Sequence, residues 1–255
     1  MELTDAALLL AAGLGAGTVN AVAGGGSLVT FPTLVAVGLP PISASVTNSV
    51  SVCPGYLASV VGSRKDLEGQ GQRLRRLAPT VVAGTAAGCA LLLATPQETF
   101  ELVVPFLVLG ATLVLAIQDR LRRVVGNPVH GSPRRAQIAL HSLVFLGAVY
   151  GGYFNAALGV MLVAVLGLVI DDTLRRVSAL KNAVSAVIGV GSVLAYAAFG
   201  PVNWAAVAVL APATLLGGYS GASIARRVPQ AVLRVVIVAF GTIVGVVLLL
   251  RALQN

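Results

Sequence analysis

The sequence predicts an all-α polytopic membrane protein built from two inverted-topology repeats. Each repeat is a broken, re-entrant-like helix hairpin followed by three transmembrane helices, giving 8–10 helical segments in all. Three observations predict it. Apolar runs of roughly 17 to 24 residues recur without a charge, long enough for a hydrocarbon core of about 30 Å. Two further apolar runs are about half that length. A set of Asn, Gly and Pro-Gln positions from the first half also recurs, in order, in the second.

Composition agrees. Of 255 residues, 57% are hydrophobic and 10% charged, and the mean hydropathy is +0.93, whereas a soluble domain carries about 25% charged residues. No alternating pattern of a transmembrane barrel is present. The opening "MELTDAALLL" has no basic segment of the kind that precedes a cleaved signal peptide. Cys53 and Cys89 sit inside apolar runs and read as packing thiols. The formal charge of +8 reflects basic cytoplasmic loops, with no nucleic-acid partner implied.

In chain order, Ala6–Ala23 forms the first arm of the first hairpin. It breaks at "AGGGS", and Leu28–Val37 follows with 10 residues, a helix of ~15 Å at the usual rise. Ile42–Gly62, Leu77–Ala94 and Phe100–Ile117 are full spans. Ile138–Phe154 and the 11-residue Val160–Ile170 form a second hairpin, and Val177–Phe199, Val202–Ala225 and Ala231–Leu250 are again spans.

The halves match in detail. Asn20 and Gly24 recur as Asn155 and Gly159, 135 residues on; Asn48, Ser51 and Gly55 as Asn182, Ser185 and Gly189, 134 on. Ala78, Pro79, Gly84, Gly88, Pro96 and Gln97 recur as Ala211, Pro212, Gly217, Gly221, Pro229 and Gln230, 133 on. Internal repeats of this kind mark many transporter folds. The organisation expected is a first repeat over 1–119, a basic cytoplasmic linker over 120–136, and a second, inverted repeat over 137–255.

Charge placement sets the orientation. Lys and Arg favour the cytoplasmic side. If the second repeat is inverted and each short arm returns the chain to the side it came from, four basic loops fall inside. They are Arg64–Arg76, Arg120–Arg135, "DDTLRR" at Asp171–Arg176 and "ARRVP" at Ala225–Pro229; with Arg234 they place 15 of 17 basic residues inside. Glu2, Asp5, Glu98 and Glu101 fall outside, as do both termini. A same-way-up duplication would put the last two basic loops on the side of "GLPPIS" and "TPQETFE".

The broken tips are the candidate binding elements. Non-helical backbone at membrane depth is tolerated only where protein or a water-filled cavity surrounds it. The first N–H groups of a new helix lack intrahelical partners and attract anions. Gly24, Gly25 and Gly26 allow close backbone approach, and Asn20, Ser27 and Asn155 add side-chain donors. Thr47, Asn48 and Ser51 on the first span after the hairpin are matched by Lys181, Asn182 and Ser185. Lys181 is a basic residue well inside a span, which marks a function or a partner by default; snorkelling to the cytoplasmic surface is the competing reading. The bland alternatives for the others are cross-helix bonding by Asn and packing contacts by Gly, the latter favoured for Gly84, Gly88, Gly217 and Gly221. His141 and His130 read as structural and solvated.

No nucleophile triad, zinc spacing or P-loop is present; "AGGGSLVT" lacks the Lys-Ser/Thr ending. No catalytic residue, cofactor or metal is therefore expected. The sequence offers no soluble domain for ATP hydrolysis, which leaves an ion gradient (protons as coupling ion) or the substrate's own gradient as energy source. A passive anion channel using the same donors is the alternative mechanism.

The block "AGGGS…PTLVAVGLPP…A…TNS", its echo around "GVMLVAVLGL…ALKN", and the two "APxxxxGxxxG" helices resemble the TauE/SafE sulfite exporter family, also called DUF81 or probable membrane transporters. The resemblance covers Ala7 to Leu250. It implies a multi-pass protein of the bacterial inner membrane exporting small sulfur-containing anions: sulfite, sulfoacetate, thiosulfate or related organosulfonates. Another small organic anion stays open, and so does a homo-oligomer. The second tip departs from the family pattern, having "AALGV" in place of a glycine cluster.

Overall fold

The computed structural model describes residues 2–22, 24–122, 133–224 and 230–253. Most of the linker, His130 and the basic pair Arg226–Arg227 lie outside these residues. Among the described residues the chain is all helix: α1 (Leu3–Val22), α2 (Ser27–Ala36), α3 (Pro41–Gly62), a 3-10 turn (Arg64–Leu67), α4 (Gly71–Ala94), α5 (Gln97–Ala116), α6 (Gln118–Arg122), α7 (Pro133–Tyr153), α8 (Leu158–Val169), α9 (Leu174–Phe199), α10 (Trp204–Ile224) and α11 (Gln230–Ala252). Each expected apolar run has its helix. The 3-10 turn and α6 were not expected.

Local chemistry sets the boundaries. α3 starts at Pro41, where the missing N–H costs nothing. α5 follows Pro96. α9 is capped by Thr173, whose hydroxyl accepts from the Arg176 N–H at 3.4 Å, and it ends at Gly200 before Pro201. Five helices contain segments long and apolar enough to cross a membrane: Leu3–Asn20, Gly71–Ala94, Gln97–Ala116, Leu174–Phe199 and Val235–Ala252. α3 has 22 residues but is rich in Ser, Thr and Asn, and Ala44 to Cys53 are buried without interruption.

The helices pack in exchanged pairs. α1 packs on α10 and α7 on α4; α3 packs on α10 and α9 on α4; α3 meets α9, and α5 meets α11. Small residues make the first two contacts close. A Cβ at Gly17 would lie 2.3 Å from the Thr214 carbonyl oxygen, and one at Gly217 2.2 Å from that of Leu14. A Cβ at Gly88 would lie 2.1 Å from the Val149 oxygen, and one at Gly152 2.5 Å from that of Thr85. Gly13 lies against Leu210 and Ala213 and Gly17 against Thr214 and Gly218, while Gly84 lies against Phe145 and Ala148 and Gly88 against Val149 and Tyr153; both series rise together, so α1 runs parallel to α10, and α7 to α4.

The two hairpins open toward opposite ends. A cleft of about 410 Å³ gathers Gly38–Pro41 after α2, Glu101 of α5 and Arg251 of α11 at one end. At the other, a cleft of about 650 Å³ gathers Arg73 and Arg76 of α4, Gln137 and His141 of α7 and Arg176 of α9. We call the latter the basic end. There Asp172, after α8, pairs with Arg73 at 3.3 Å and Arg176 at 3.0 Å. His141 bonds Thr80 at 2.8 Å between α7 and α4. Both cysteines are buried, Cys53 beside Gly189 and Cys89 beside the Gly152 carbonyl and the Ser192 hydroxyl.

Candidate functional site

The two tips meet each other. Gly24 and Gly159 are in backbone contact: the Gly159 N–H donates to the Gly24 carbonyl at 3.2 Å, and a Cβ on Gly24 would sit 2.7 Å from the Gly159 Cα. Gly24 has φ +81, a conformation glycine adopts freely. Gly26 folds back on its own first arm, and a Cβ there would sit 2.3 Å from the Ala16 oxygen. Gly25 is looser, its nearest neighbour being the Leu115 side chain at 3.3 Å. In the second tip the left-handed positions are Asn155 (φ 66) and Ala157 (φ 52). Asn tolerates this region better than most side chains, which is how this tip turns without a glycine cluster.

The sequence suggested helix-end amides as the anion donors. The structure shows several of them already engaged: Gly26 N–H with Asn20 Oδ1 at 2.8 Å, Leu28 with the Gly25 carbonyl and Val29 with the Gly26 carbonyl. Gly159 is engaged across the tips. Buried side chains offer further donors. Among the described residues, buried atoms without a hydrogen-bond partner are Asn20 Nδ2, Ser27 Oγ, Asn48 Nδ2, Ser49 Oγ, Asn155 Nδ2 and Ser185 Oγ, with Gln118 Oε1 apart from the rest on α6.

The three asparagines share one arrangement. The carbonyl end of each is held by a donor, and the amide end is not. Asn20 Oδ1 accepts from the Gly26 N–H, which can only donate and so dictates the orientation. Asn48 Oδ1 accepts from the Thr30 hydroxyl of α2. Asn155 Oδ1 accepts from the Tyr56 hydroxyl of α3 at 3.0 Å. Ser27 lies beside that same hydroxyl. Contacts thus link α1, α2, α3 and the second tip into one buried, donor-rich cluster. An unpartnered buried amide N–H₂ costs about 1–3 kcal/mol, and an oxyanion would relieve that cost through charge-assisted bonds.

Other candidates are placed differently. Thr47 accepts from the Asn203 N–H at 2.9 Å, and Ser51 donates to the Thr47 carbonyl at 2.7 Å. Both are engaged in packing the α3 region. Asn182 is half-buried and donates to the Ser63 hydroxyl at 3.1 Å and the Ser59 carbonyl at 3.4 Å, toward the basic end. The starts of α3 and α9, α4 and α10, and α5 and α11 all differ by 133 residues. In that register Asn48 corresponds to Lys181, which is 8% exposed and engaged within the protein. Thr30, Ser49 and Tyr56 were not among the residues expected. Tyr56 could have been noticed as the one aromatic residue of α3.

On the side away from the basic end, the tips are covered by aromatic rings. Phe31 and Phe154 meet edge-on at 5.1 Å, and Phe100 lies 5.8 Å from Tyr153 and 6.4 Å from Phe154. The clefts at Arg73, at Gly38, at Ser63 and at Pro40 are lined by no tip residue.

Comparisons with known proteins agree on one family. The family model described as "Sulfite exporter TauE/SafE" matches residues 9–248. The chain is 27% identical over 242 residues to "Probable membrane transporter protein YfcA" of Escherichia coli (strain K12), covering 92% of this chain and 86% of that protein. It is 25% identical over 239 residues to a "Probable membrane transporter protein" of Haemophilus influenzae, covering 92% and 91%. To "Probable membrane transporter protein ORF9" of Sinorhizobium sp it is 22% identical over 249 residues, covering 98% and 92%. No solved structure matches significantly.

Proposed function

This chain belongs to the sulfite exporter TauE/SafE family, whose members are membrane transporters, and from that premise we propose that it exports a small sulfur oxyanion or organosulfonate across the bacterial inner membrane. The observation that carries the proposal is the set of three buried asparagines, each keyed through its carbonyl and open at its amide. Donor-only recognition at membrane depth suits an anion and disfavours a cation. Ser27 and Ser185 add hydroxyls, and Lys181, which is 8% exposed, adds a cationic side chain on α9.

Alternating access is the mechanism this reading favours. The tips touch each other, the aromatic layer covers one side, and the cleft at Ser63 and Asn182 is lined by no tip residue. A channel would need a continuous path. The opposed hairpins and exchanged helix pairs fit inverted repeats rocking about the tips, with the basic end in the cytoplasm. The protein acts without catalysis, and protons can serve as coupling ion by travelling on the substrate.

The test is binding. Purified protein titrated calorimetrically with sulfite, sulfoacetate and thiosulfate should show saturable binding of at least one. Asn48→Ala should weaken it about tenfold or more, the worth of a hydrogen bond to a charged group. No heat with any sulfur anion would remove the substrate assignment. Saturable counterflow in proteoliposomes would separate a carrier from a channel.

A further inference from the structure

Resting on this anion-transport reading, we propose that the seam between α3 and α9 is the route by which a small oxyanion reaches the tips from the basic end, with Asn182 as its inner barrier.

A cleft of about 740 Å³ opens at the basic end, lined by Ser63 just after α3, by Asp66 of the 3-10 turn and by Arg175, Ser178 and Asn182 of α9. On α9, Arg175, Ser178, Asn182 and Ser185 stand at spacings of three and four, so they share one helix face. On α3, Ser63, Ser59 and Tyr56 do the same in the opposite direction. Exposure falls steadily along the α9 row: Arg175 is exposed, Ser178 and Asn182 are half-buried, and Ser185 is 1% exposed. Ser185 Oγ has no hydrogen-bond partner. On the α3 side the row ends at the Tyr56 hydroxyl, which is bonded to Asn155 in the second tip.

Polar groups thus continue from the open cleft to the cluster. The Asn182 bonds to Ser63 and Ser59 close the row midway, and they join one helix from each half. Gly189 lets α3 come close just beyond, where a Cβ would lie 3.2 Å from both Cys53 and Tyr56. The opposite side of the tips offers Phe31, Phe100 and Phe154 instead. An anion entering from the basic end meets hydroxyl and amide donors at each turn; from the other end it meets phenylalanine rings, which carry no hydrogen-bond donor.

The test is thiol accessibility in membrane vesicles. Single cysteines replace Ser178, Ser185, Val190 or Ser192 in a Cys53→Ala, Cys89→Ala background, and Lys65→Cys reports when the basic end is exposed. A membrane-impermeant maleimide added to that face should label Ser178→Cys fast and Ser185→Cys more slowly. Both should react at least tenfold faster than the outward-facing Val190→Cys and the deeper Ser192→Cys. Asn182→Ala should speed the Ser185→Cys reaction several-fold, and sulfoacetate should slow it. Labelling of Ser185→Cys no faster than Val190→Cys, or faster from the opposite face, overturns the route. Should Ser185→Cys not fold, Asn182→Leu serves instead. It should cut sulfoacetate transport at least tenfold while calorimetric binding in detergent persists, and unchanged transport rejects the proposal. Both readouts differ from the loss of binding in Asn48→Ala, so a failed route and a failed site are told apart.

Discussion

Single residues carry the argument for what the tips do. The three consecutive glycines have three different surroundings. Gly24 has a positive φ and touches Gly159, Gly26 touches the Ala16 carbonyl, and Gly25 faces only a leucine side chain. Gly24→Ala and Gly26→Ala should therefore each destabilise the protein by about 1–3 kcal/mol, and Gly25→Ala should be mild. Thermal unfolding in detergent checks this ordering, and equal losses at all three positions would contradict it. Asn155 combines a left-handed backbone with a donor side chain. Asn155→Gly should keep the turn and lose anion binding; Asn155→Ala should lose binding and about 1 kcal/mol of stability besides. That Asn20 and Asn155 recur could be read from the sequence. That Thr30 and Tyr56 would bond the side chains of Asn48 and Asn155 could not, because those contacts join residues 18 and 99 positions apart.

Whole elements were the most legible part. Every apolar run became a helix, because a chain in lipid must satisfy its backbone internally. The short arms came out as helices of 10 and 12 residues. Partners of the glycine-bearing helices were not legible, since periodicity shows which face is small but not what it meets. The structure pairs α4 with α7 and α1 with α10. Gly84→Leu or Gly88→Leu should then strongly destabilise the protein, whereas Gly62→Leu and Gly110→Leu, with nothing within 4 Å of their Cβ positions, should not. The tie at the basic end is electrostatic. Burial alone would raise the Asp172 carboxyl, but hydrogen bonds from the Thr173 N–H, Arg176 and Arg73 outweigh it and hold the pKa below the ordinary value. A depressed carboxylate pKa contributes stability above its unfolded value and loses it as pH falls through the folded one. Melting temperature should therefore drop more steeply for the native protein than for Asp172→Asn as pH falls below the ordinary aspartate range.

At the scale of the whole molecule, two broken helices, one from each half of the chain, bring their tips into contact. The sequence disclosed the recurrence but left its register loose around the polar helices. With the helix starts of α3 and α9 133 residues apart, Asn48 corresponds in position to Lys181, and Asn182 bonds Ser63. A one-residue shift on a helix rotates a side chain by about 100°, enough to move a residue from the tip cluster to the seam between α3 and α9. The central claim is that the keyed asparagines of the tips bind a small sulfur anion. Its most direct test is calorimetric titration of sulfite and sulfoacetate into the native protein, Asn20→Ala, Asn48→Ala and Asn155→Gly, with the fold of each verified by thermal unfolding. The account predicts saturable binding to the native protein and a loss of about tenfold or more in every folded variant. Equal affinity across all four would contradict it.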